Sequence, residues 1–456
     1  MRNARLFFSL LSAFAVTALT TTSFAADARP NIIFIIADDL GWADVAFHGG
    51  NAPTPNLDQL AREGLELTRH YVAPVCSPTR TGLMTGRCWS RFNVTTPQNE
   101  RALPWDTMTL PKALKSAGYD TCITGKWHLG SKPEWGPNHF GFDHSYGSLA
   151  GGVGPWDHSY KKGPFSPTWH RNEKLMEEKG HVTDLITEEA VRWLEARGEK
   201  PFFLYVPFTA VHLPIKEPDE YVQRVPASIQ GDMRRQYAAC VMHLDSAVGR
   251  LVGALEKTGK RSNTIVVFTS DNGGITVENN DTNYPDDDYP AGRLAGSNVP
   301  LRGEKGQVYE GGIHVPAIVN WPGKAKPGKL DVPLQITDWM PTFCGLAEYK
   351  PSRDLKWDGR NMASLLKGEV NSSAPCPVYT VAPGWRARAL HFGDWKLIEL
   401  GAGKNAPKYE LYNLGQDLSE TTDLADKEPA RLADLQQHLK RMAANDKDSV
   451  VVEGNN

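Results

Sequence analysis

Three apolar runs, each ending at or just before polar side chains, constrain the fold of this chain more than any other feature. They are Asn31–Ala37, Phe202–Pro207 and residues 265–270, and each is rich in β-branched or aromatic residues. Continuous apolar runs of this length are typical of strands buried on both faces of a parallel sheet. The runs therefore predict a central sheet that is covered by helices on its two sides.

Helical patterns lie between these runs. The clearest covers residues 233–258, where apolar residues recur at alternating steps of four and three from Tyr237 to Leu255, and Gly259 follows as a stop. The other predicted elements of this part are helices at residues 56–64 and 110–118, a strand at 119–124, and a helix that Thr183 caps. Strand and helix alternate, which indicates an α/β fold with a mostly parallel sheet.

The pattern changes after about residue 350. Short strands are predicted at residues 378–381, 389–391, 395–400 and 410–413, followed by a helix at 429–444. We therefore expect a catalytic domain over residues 26–350 and a small C-terminal α+β subdomain over 351–456, built from an antiparallel sheet and one helix. A mature chain of this length commonly divides in this way.

The N-terminus has the form of a secretory signal. Arg2 and Arg5 precede an apolar stretch from Leu6 to about Leu19, and small residues lead to Ala26. This order predicts a signal peptide over residues 1–25 and an exported protein, periplasmic or secreted. No later segment approaches the roughly 20 apolar residues of a transmembrane helix, so no integral membrane span is expected.

The charge balance argues against a nucleic-acid partner. The formal net charge is -3, and no basic run occurs. An anionic substrate would therefore have to be attracted by charges within its own site. The six cysteines show no close pairing pattern, so no disulfide framework is indicated.

Polar residues follow two of the predicted strands. Asp38 and Asp39 come after the first, and Asp271 and Asn272 come after the run at 265–270. Ligands bind beyond the carboxyl ends of strands in open α/β sheets, and an all-oxygen set suits Ca²⁺ or Mg²⁺ rather than zinc. A helix cap or a solvated turn is the alternative interpretation of the Asp-Asp pair.

A second polar group surrounds Cys76-Ser77-Pro78-Thr79-Arg80. Proline in a first turn indicates a helix start, so the sulfur would lie at the positive end of the helix dipole, with Arg80 one turn later. This arrangement would hold a small tetrahedral anion, whereas a buried or disulfide-bonded cysteine is the alternative. Lys126 and His128, one residue apart, would share a face of an extended segment and could bind an anion and move a proton.

These strings resemble the two signature motifs of type I, formylglycine-dependent sulfatases of the alkaline phosphatase-like superfamily. Cys76–Arg80 is similar to the Cys-x-Pro-Ser/Thr-Arg signature, and residues 118–130 are similar to the second one. The surroundings of His212 and Lys305 resemble the family as well, as do residues 393–398, so the resemblance covers most of residues 30–345 and part of the C-terminal segment. The motif spacing is most similar to arylsulfatase B-type enzymes, which act on N-acetylgalactosamine 4-sulfate.

The resemblance implies the family's fold and roles for particular residues. A maturation enzyme would convert Cys76 to formylglycine, whose hydrated aldehyde is the nucleophile. One Ca²⁺, with Mg²⁺ less favoured, would be bound by Asp38, Asp39, formylglycine 76, Asp271 and Asn272. Arg80, Lys126 and Lys305 would surround the sulfate, His212 and Lys305 would protonate the leaving oxygen, and His128 would take the proton that releases sulfate. The substrate would be a sulfated carbohydrate.

Two other functions are weighed against this one. A phosphomonoester or phosphonate hydrolase of the same superfamily would be favoured by two cations and several histidine ligands. A catalytically dead sulfoglycan-binding relative would be expected to have lost a charged group, and all of them are present.

The substrate loops are the hardest part to interpret. The stretch 278–298, with Asp286-Asp287-Asp288, is longer than expected and is predicted to reshape the pocket. Trp156, His158, Trp169, His170 and Arg293 are candidates to line it, with ordinary loop packing as the alternative.

Overall fold

The computed structural model describes residues 29–281, 284, 288–370, 376–402 and 406–449. The predicted signal peptide, Asp286 and Asp287 lie outside these residues.

The described chain folds into alternating strands and helices with two sheets of more than two strands. The strands are β1 Asn31–Ala37, β2 Leu65–Leu67, β3 His70–Tyr71, β4 Asp120–Thr124, β5 His144–Ser148, β6 Trp169–Arg171, β7 Lys174–Leu175, β8 Phe202–Pro207, β9 Thr264–Ser270, β10 Ala317–Asn320, β11 Gly328–Leu330, β12 Leu334–Gln335, β13 Val378–Val381, β14 Ala387–Phe392, β15 Trp395–Leu400 and β16 Lys408–Asn413. The α-helices are α1 Pro55–Glu63, α2 Cys76–Thr85, α3 Leu110–Ser116, α4 Val182–Glu195, α5 Asp219–Arg224, α6 Asp232–Lys257, α7 Glu310–Ile313, α8 Trp339–Leu346, α9 Ala363–Leu366 and α10 Pro429–Ala443.

A ten-stranded sheet forms the centre of the molecule, in the order β11-β2-β10-β9-β1-β8-β4-β5-β6-β7. The five strands from β9 to β5 are parallel to one another. Strand β1 pairs on one side with β9 and on the other with β8, and all seven of its residues are buried. The three apolar runs are thus adjacent central strands, as their composition requires.

The predicted α/β fold with a mostly parallel sheet is confirmed, and the main differences lie at the sheet's edges. Strands β2, β5, β6, β7, β10 and β11 were not predicted. They are short, and several alternate polar with apolar residues or have exposed side chains, so they lack the continuous apolar signal of β1.

The cap of α4 also differs from the prediction. Its N-cap is His181 rather than Thr183, and the His181 side chain accepts a hydrogen bond from the backbone N–H of Thr183. An imidazole nitrogen replaces the usual cap oxygen here, because His181 is held in a buried cluster with Glu217 and His243.

The C-terminal part forms the predicted antiparallel sheet, β13-β14-β15-β16, with α10 packed on it. Lys396 on β15 is fully buried and pairs with Glu310 at 2.8 Å and with Glu420 at 2.7 Å. Leu397 on β15 belongs to the same hydrophobic cluster as Phe34 on β1, so this sheet packs on the central one. The boundary at residue 350 stays a prediction.

Helix α6 is the one helix among the described residues that is long and apolar enough to cross a membrane. However, 72% of its apolar window is buried inside the protein, where the helix packs against α4, α5 and α1. Its hydropathy is therefore accounted for by the protein core.

A buried ion-pair cluster joins α6 to α4. The Nδ1 of His243 lies 2.7 Å from a Glu217 oxygen, and its Nε2 lies 3.4 Å from Asp184 Oδ1. Burial alone would lower the pKa of His243, but these two carboxylates raise it to about 9. His243 is therefore positively charged at neutral pH.

This cluster gives a prediction for stability. The pKa of His243 is higher in the folded protein than in the unfolded chain, where it is about 6.5, so protonation of this residue stabilises the fold. This stabilisation is complete below pH 6.5 and is lost as the pH rises through 9. We expect the wild type to lose about 3 kcal/mol of unfolding free energy over this range that His243→Gln does not lose. Urea denaturation at pH 6 and pH 9.5 measures it, with the partly exposed His139→Gln as control. Equal pH dependence in all three proteins would contradict the assignment.

Candidate active site

Four neighbouring parallel strands deliver polar side chains to one edge of the sheet. In the order β9, β1, β8, β4, their carboxyl ends are followed by Asp271-Asn272, Asp38-Asp39, the loop to His212, and Lys126 with His128. The registers align these ends, since Ala37 pairs with Ser270 and Ile36 with Pro207. Residues far apart in sequence therefore converge because the strands that precede them are adjacent.

Each carboxylate in this group has a cationic partner. Lys126 Nζ lies 2.5 Å from Asp38 Oδ2, and Lys305 Nζ lies 2.7 Å from Asp39 Oδ2. An Arg80 guanidinium nitrogen lies 2.9 Å from Asp271 Oδ2. The structure thus brings together three carboxylates and three basic side chains that were predicted from the sequence to share one site.

Burial makes this charge arrangement unusual. The pKa of Asp38 is raised well above its usual value by burial and by the nearby Asp271 carboxylate. Burial would also raise the pKa of Asp39, but Lys305 and His212 lower it to about 2. Two adjacent aspartates in one site therefore have opposite shifts, which is common where charge is arranged for a ligand.

Two oxygens of this site fit a metal ion. Asp38 Oδ1 and Asn272 Oδ1 are buried and have no hydrogen-bond partner among the described residues. The amide nitrogen of Asn272 donates to Asp39 Oδ1 at 2.7 Å, which fixes the orientation of the amide. Buried acceptors without donors are costly unless a cation satisfies them, so Asp38, Asp39, Asp271 and Asn272 are suited to hold one.

A second group with metal-ligand atoms lies outside this site and is better explained by ion pairing. In it, the ligand atoms of His181, Asp184 and His243 lie within 4.8 Å of one another. Asp184 is already bonded to Arg250 at 2.9 Å, and His243 is charged. The ion pairs of Asp184 with Arg250 and of His243 with Glu217 account for the buried charges, so we interpret this group as structural.

Cys76 is the first residue of α2, as the sequence analysis expects. Helix α2 begins there after Val75, and the cysteine is 2% exposed. Burial raises the pKa of its thiol, and this effect outweighs the opposing effect of Lys126. The unmodified residue is therefore a protonated thiol and a poor nucleophile.

The residues after Cys76 attach the helix to the rest of the site. The Ser77 hydroxyl donates to the His128 carbonyl at 2.8 Å, and the Thr79 hydroxyl donates to the Asp271 carbonyl at 2.6 Å. The sequence analysis assigned no such role to either residue. Small hydroxyl residues in a buried first turn were the signal that could have indicated it.

Arg80 is 1% exposed and turns its donors to the protein. Besides Asp271 it donates to the Lys126 carbonyl at 2.7 Å. It therefore links the end of β9 to the end of β4 and positions two candidate groups at once.

Two substitutions of Arg80 are expected to affect stability and activity to different extents. Arg80→Met leaves the buried Asp271 carboxylate without its ion pair and should cost about 3–5 kcal/mol of unfolding free energy. Arg80→Lys keeps the positive charge but loses the planar guanidinium group that donates to two partners at once. We expect kcat to fall roughly 10²-fold, with a smaller loss of stability than in Arg80→Met. Urea denaturation and steady-state kinetics measure the two effects. A wild-type kcat in Arg80→Lys would show that the two-partner contact of the guanidinium group is not needed for activity.

Lys126 and His128 reach the site by a route that differs from the prediction. Residues 125–130 do not form a strand, and His128 has a left-handed backbone with φ 56°. Its ring packs directly on Gly151, where a Cβ would lie 2.4 Å from Nε2. Burial and Lys126 lower the pKa of His128 well below its usual value, so the ring is neutral.

His212 and Lys305 both lie close to the same carboxylate oxygen of Asp39. His212 Nε2 is 3.7 Å from Asp39 Oδ2, and its Nδ1 donates to the Leu213 carbonyl at 2.5 Å. Burial and Lys305 lower the pKa of His212. Burial would lower the pKa of Lys305, but Asp39 raises it, so the lysine stays charged.

The predicted lining residues separate into two groups. Trp156, His158 and Trp169 line a cavity of about 920 Å³. His170 is 1% exposed and bonded to the Gly147 carbonyl, and it is not among the residues that line this cavity. Arg293 is exposed and lies where residues 292–294 pair with residues 278–280. The catalytic candidates do not line this cavity.

Comparison with known proteins identifies the family. The family described as Sulfatase matches residues 30–349. Arylsulfatase J of Mus musculus is 34% identical over 423 residues, covering 86% of this chain and 68% of that protein. N-acetylgalactosamine-6-sulfatase of Mus musculus is 33% identical over 381 residues, covering 78% and 70%.

Comparison with a solved structure supports the same family. The crystal structure of Ps i-CgsB in complex with k-i-k-neocarrahexaose superposes with a TM-score of 0.81 at 32% identity and covers 92% of this chain and 94% of that one. The chain therefore belongs to the sulfatase family and is a sulfuric ester hydrolase.

Proposed function

We propose that this chain is an exported, Ca²⁺-dependent sulfatase that removes sulfate from a sugar by means of formylglycine at position 76. The observation that carries the proposal is the position of Cys76. It begins a buried helix beside a cluster of three carboxylates, and the charges that act on its thiol include Lys126, Asp271 and Lys305.

A cation held by Asp38, Asp39, Asp271 and Asn272 would neutralise charge on the sulfate oxygens and act as a Lewis acid. The hard oxygen set favours Ca²⁺, with Mg²⁺ as the second choice. Formylglycine would supply a hydroxyl nucleophile together with a second hydroxyl through which sulfate is expelled.

The residues around the metal site and position 76 would bind the sulfate and transfer protons. Lys126 and Lys305 carry charges that are buried with the site and so act strongly on an anion. Neutral His128 has an unpartnered Nδ1 among the described residues and is suited to accept a proton. His212 donates its Nδ1 proton to the Leu213 carbonyl, so the neutral ring presents an unprotonated Nε2 to the site. Charged Lys305 would therefore donate the proton to the leaving oxygen, with His212 beside it on the leaving-group side.

The most specific part of the proposal is the identity of the sugar and the position of its sulfate. The motif spacing favours N-acetylgalactosamine 4-sulfate, whereas one relative is named an N-acetylgalactosamine-6-sulfatase and another is solved with a carrageenan hexaose. These names support a galactose-type sugar in a glycosaminoglycan or another sulfated glycan. We propose the 4-sulfate within that class.

A panel of substrates tests the proposal. It contains N-acetylgalactosamine 4-sulfate, the 6-sulfate, a carrageenan oligosaccharide, a phosphomonoester and a phosphonate monoester, with released sulfate or phosphate measured. We expect sulfate release from galactose-type sugars. Faster release of phosphate would favour the phosphoester hydrolase, and binding without release would favour the dead relative.

Export and maturation are part of the proposal. Residues 1–25 would direct export to the periplasm or the medium, and a formylglycine-generating enzyme would act on Cys76. N-terminal sequencing of the exported protein tests the first point, with a start at residue 26 or 27 expected. A start at residue 1 would contradict it.

A further inference from the structure

In the long stretch after β9, residues 278–280 pair antiparallel with residues 292–294, and these two paired segments, called the hairpin below, are fixed close to His212. Asn280 N–H donates to the Gly292 carbonyl at 2.8 Å, and Leu294 N–H donates to the Glu278 carbonyl at 2.9 Å. Asn280 is fully buried, and its side chain binds both the N–H and the carbonyl of Ile215, at 2.6 and 2.8 Å. The hairpin is therefore clamped to the chain three residues after His212.

Tyr284 lies between these two segments in the sequence, and its hydroxyl packs against Gly152 close to His212. A Cβ on Gly152 would lie 2.5 Å from the Tyr284 hydroxyl and 3.2 Å from the His212 ring. The tyrosine hydroxyl and the histidine ring therefore both approach Gly152 closely, which is possible because this residue has no side chain. The ring of Tyr284 packs on the edge of Tyr160, which limits its movement.

The hydroxyl of Tyr284 is polar, buried and unsatisfied. The residue is 8% exposed, and its oxygen has no hydrogen-bond partner among the described residues. Burial and Tyr160 raise the pKa of Tyr284, so the phenol keeps its proton and can donate. A buried donor of this kind is costly unless a ligand or water satisfies it.

We propose that Tyr284 is a specificity-determining residue whose hydroxyl donates a hydrogen bond to the sugar that carries the sulfate. The inference rests on the proposed function. Arg80 and Lys126 are assigned to the sulfate by the proposed function, whereas Tyr284 lies close to His212, on the proposed leaving-group side. The group it contacts is therefore an oxygen of the sugar close to the ester, such as a neighbouring hydroxyl.

The test uses the matured protein, the best sugar substrate of the panel, and the variants Tyr284→Phe and Tyr160→Phe. We expect Tyr284→Phe to lower kcat/KM about 10- to 100-fold, because one hydrogen bond to the substrate is lost. The inhibition constant of inorganic sulfate should stay within about twofold, since that ion has no sugar. Tyr160→Phe removes a hydroxyl from the same aromatic pair and should leave both values near wild type.

Three results would overturn the inference. An unchanged kcat/KM in Tyr284→Phe would show that the hydroxyl does not contact the substrate. A rise in the sulfate inhibition constant that matches the loss in kcat/KM would indicate a general disturbance of the site. Wild-type protein that releases no sulfate from any sugar would refute the proposed function and this inference together, whereas either of the first two results leaves the function standing.

Discussion

Cys76→Ser is expected to lower kcat for sulfate release by roughly 10⁴-fold or more, because it removes the group on which the proposed chemistry depends. Serine keeps a hydroxyl of similar size at the start of α2, so binding of the sulfate should change little. It lacks the second hydroxyl of an aldehyde hydrate, so a sulfated serine has no route to expel sulfate. We therefore expect at most a single turnover, with sulfate retained on the protein.

A matched cysteine separates this effect from general damage. Cys376 is the least buried of the six cysteines, and Cys376→Ser should keep wild-type kcat. Mass analysis of Cys76→Ser after incubation with substrate detects the covalent sulfate, and circular dichroism checks the fold. Multiple turnovers by Cys76→Ser at more than about a tenth of the wild-type rate would contradict a role for formylglycine.

Removal of the metal is expected to have the second-largest effect. The site holds Asp38, Asp39 and Asp271, and burial together with the charges of the other two carboxylates raises the pKa of Asp38. We expect chelation to lower kcat roughly 10³-fold, with recovery on addition of Ca²⁺. Saturating Ca²⁺ should also raise Tm by about 2–4 °C, because a ligand that binds only the folded protein stabilises it.

Two carboxylate variants locate the ion. Asp38→Asn should abolish the rise in Tm with Ca²⁺, because it weakens a ligand whose Oδ1 is unsatisfied in the protein. Asp245→Asn alters another buried carboxylate, which is bonded to Asn56 and Leu57, and should retain the full rise. Calorimetric titration with Mg²⁺ tests the choice of ion. Equal Ca²⁺ responses in Asp38→Asn and the wild type would place the metal elsewhere.

The central sheet could be predicted from sequence because burial on both faces leaves a strong signal. Asn31–Ala37 and Phe202–Pro207 have the same bounds in the structure as in the prediction. Edge strands such as β6 and β7 have one exposed side or few residues, so pattern alone does not separate them from loops.

The site was predictable where its residues follow central strands or belong to a contiguous motif. Asp38 and Asp271 follow neighbouring strands, and Cys76 begins the predicted helix. The contacts of Arg80 with Asp271 and of Ser77 with His128 were not predictable, because they depend on how α2 sits over the sheet. The same holds for Tyr284, whose approach to Gly152 and His212 depends on contacts between segments that are distant in sequence.

The most direct test of the account is the mass of the tryptic peptide that spans residues 70–80, measured in protein made with a maturation enzyme and separated into fractions of different specific activity. At position 76 we predict a side chain that has lost its sulfur and two hydrogens and gained one oxygen. The fraction of peptide in that form should rise in proportion to specific activity. Fully active protein with an unmodified cysteine at position 76 would contradict the account.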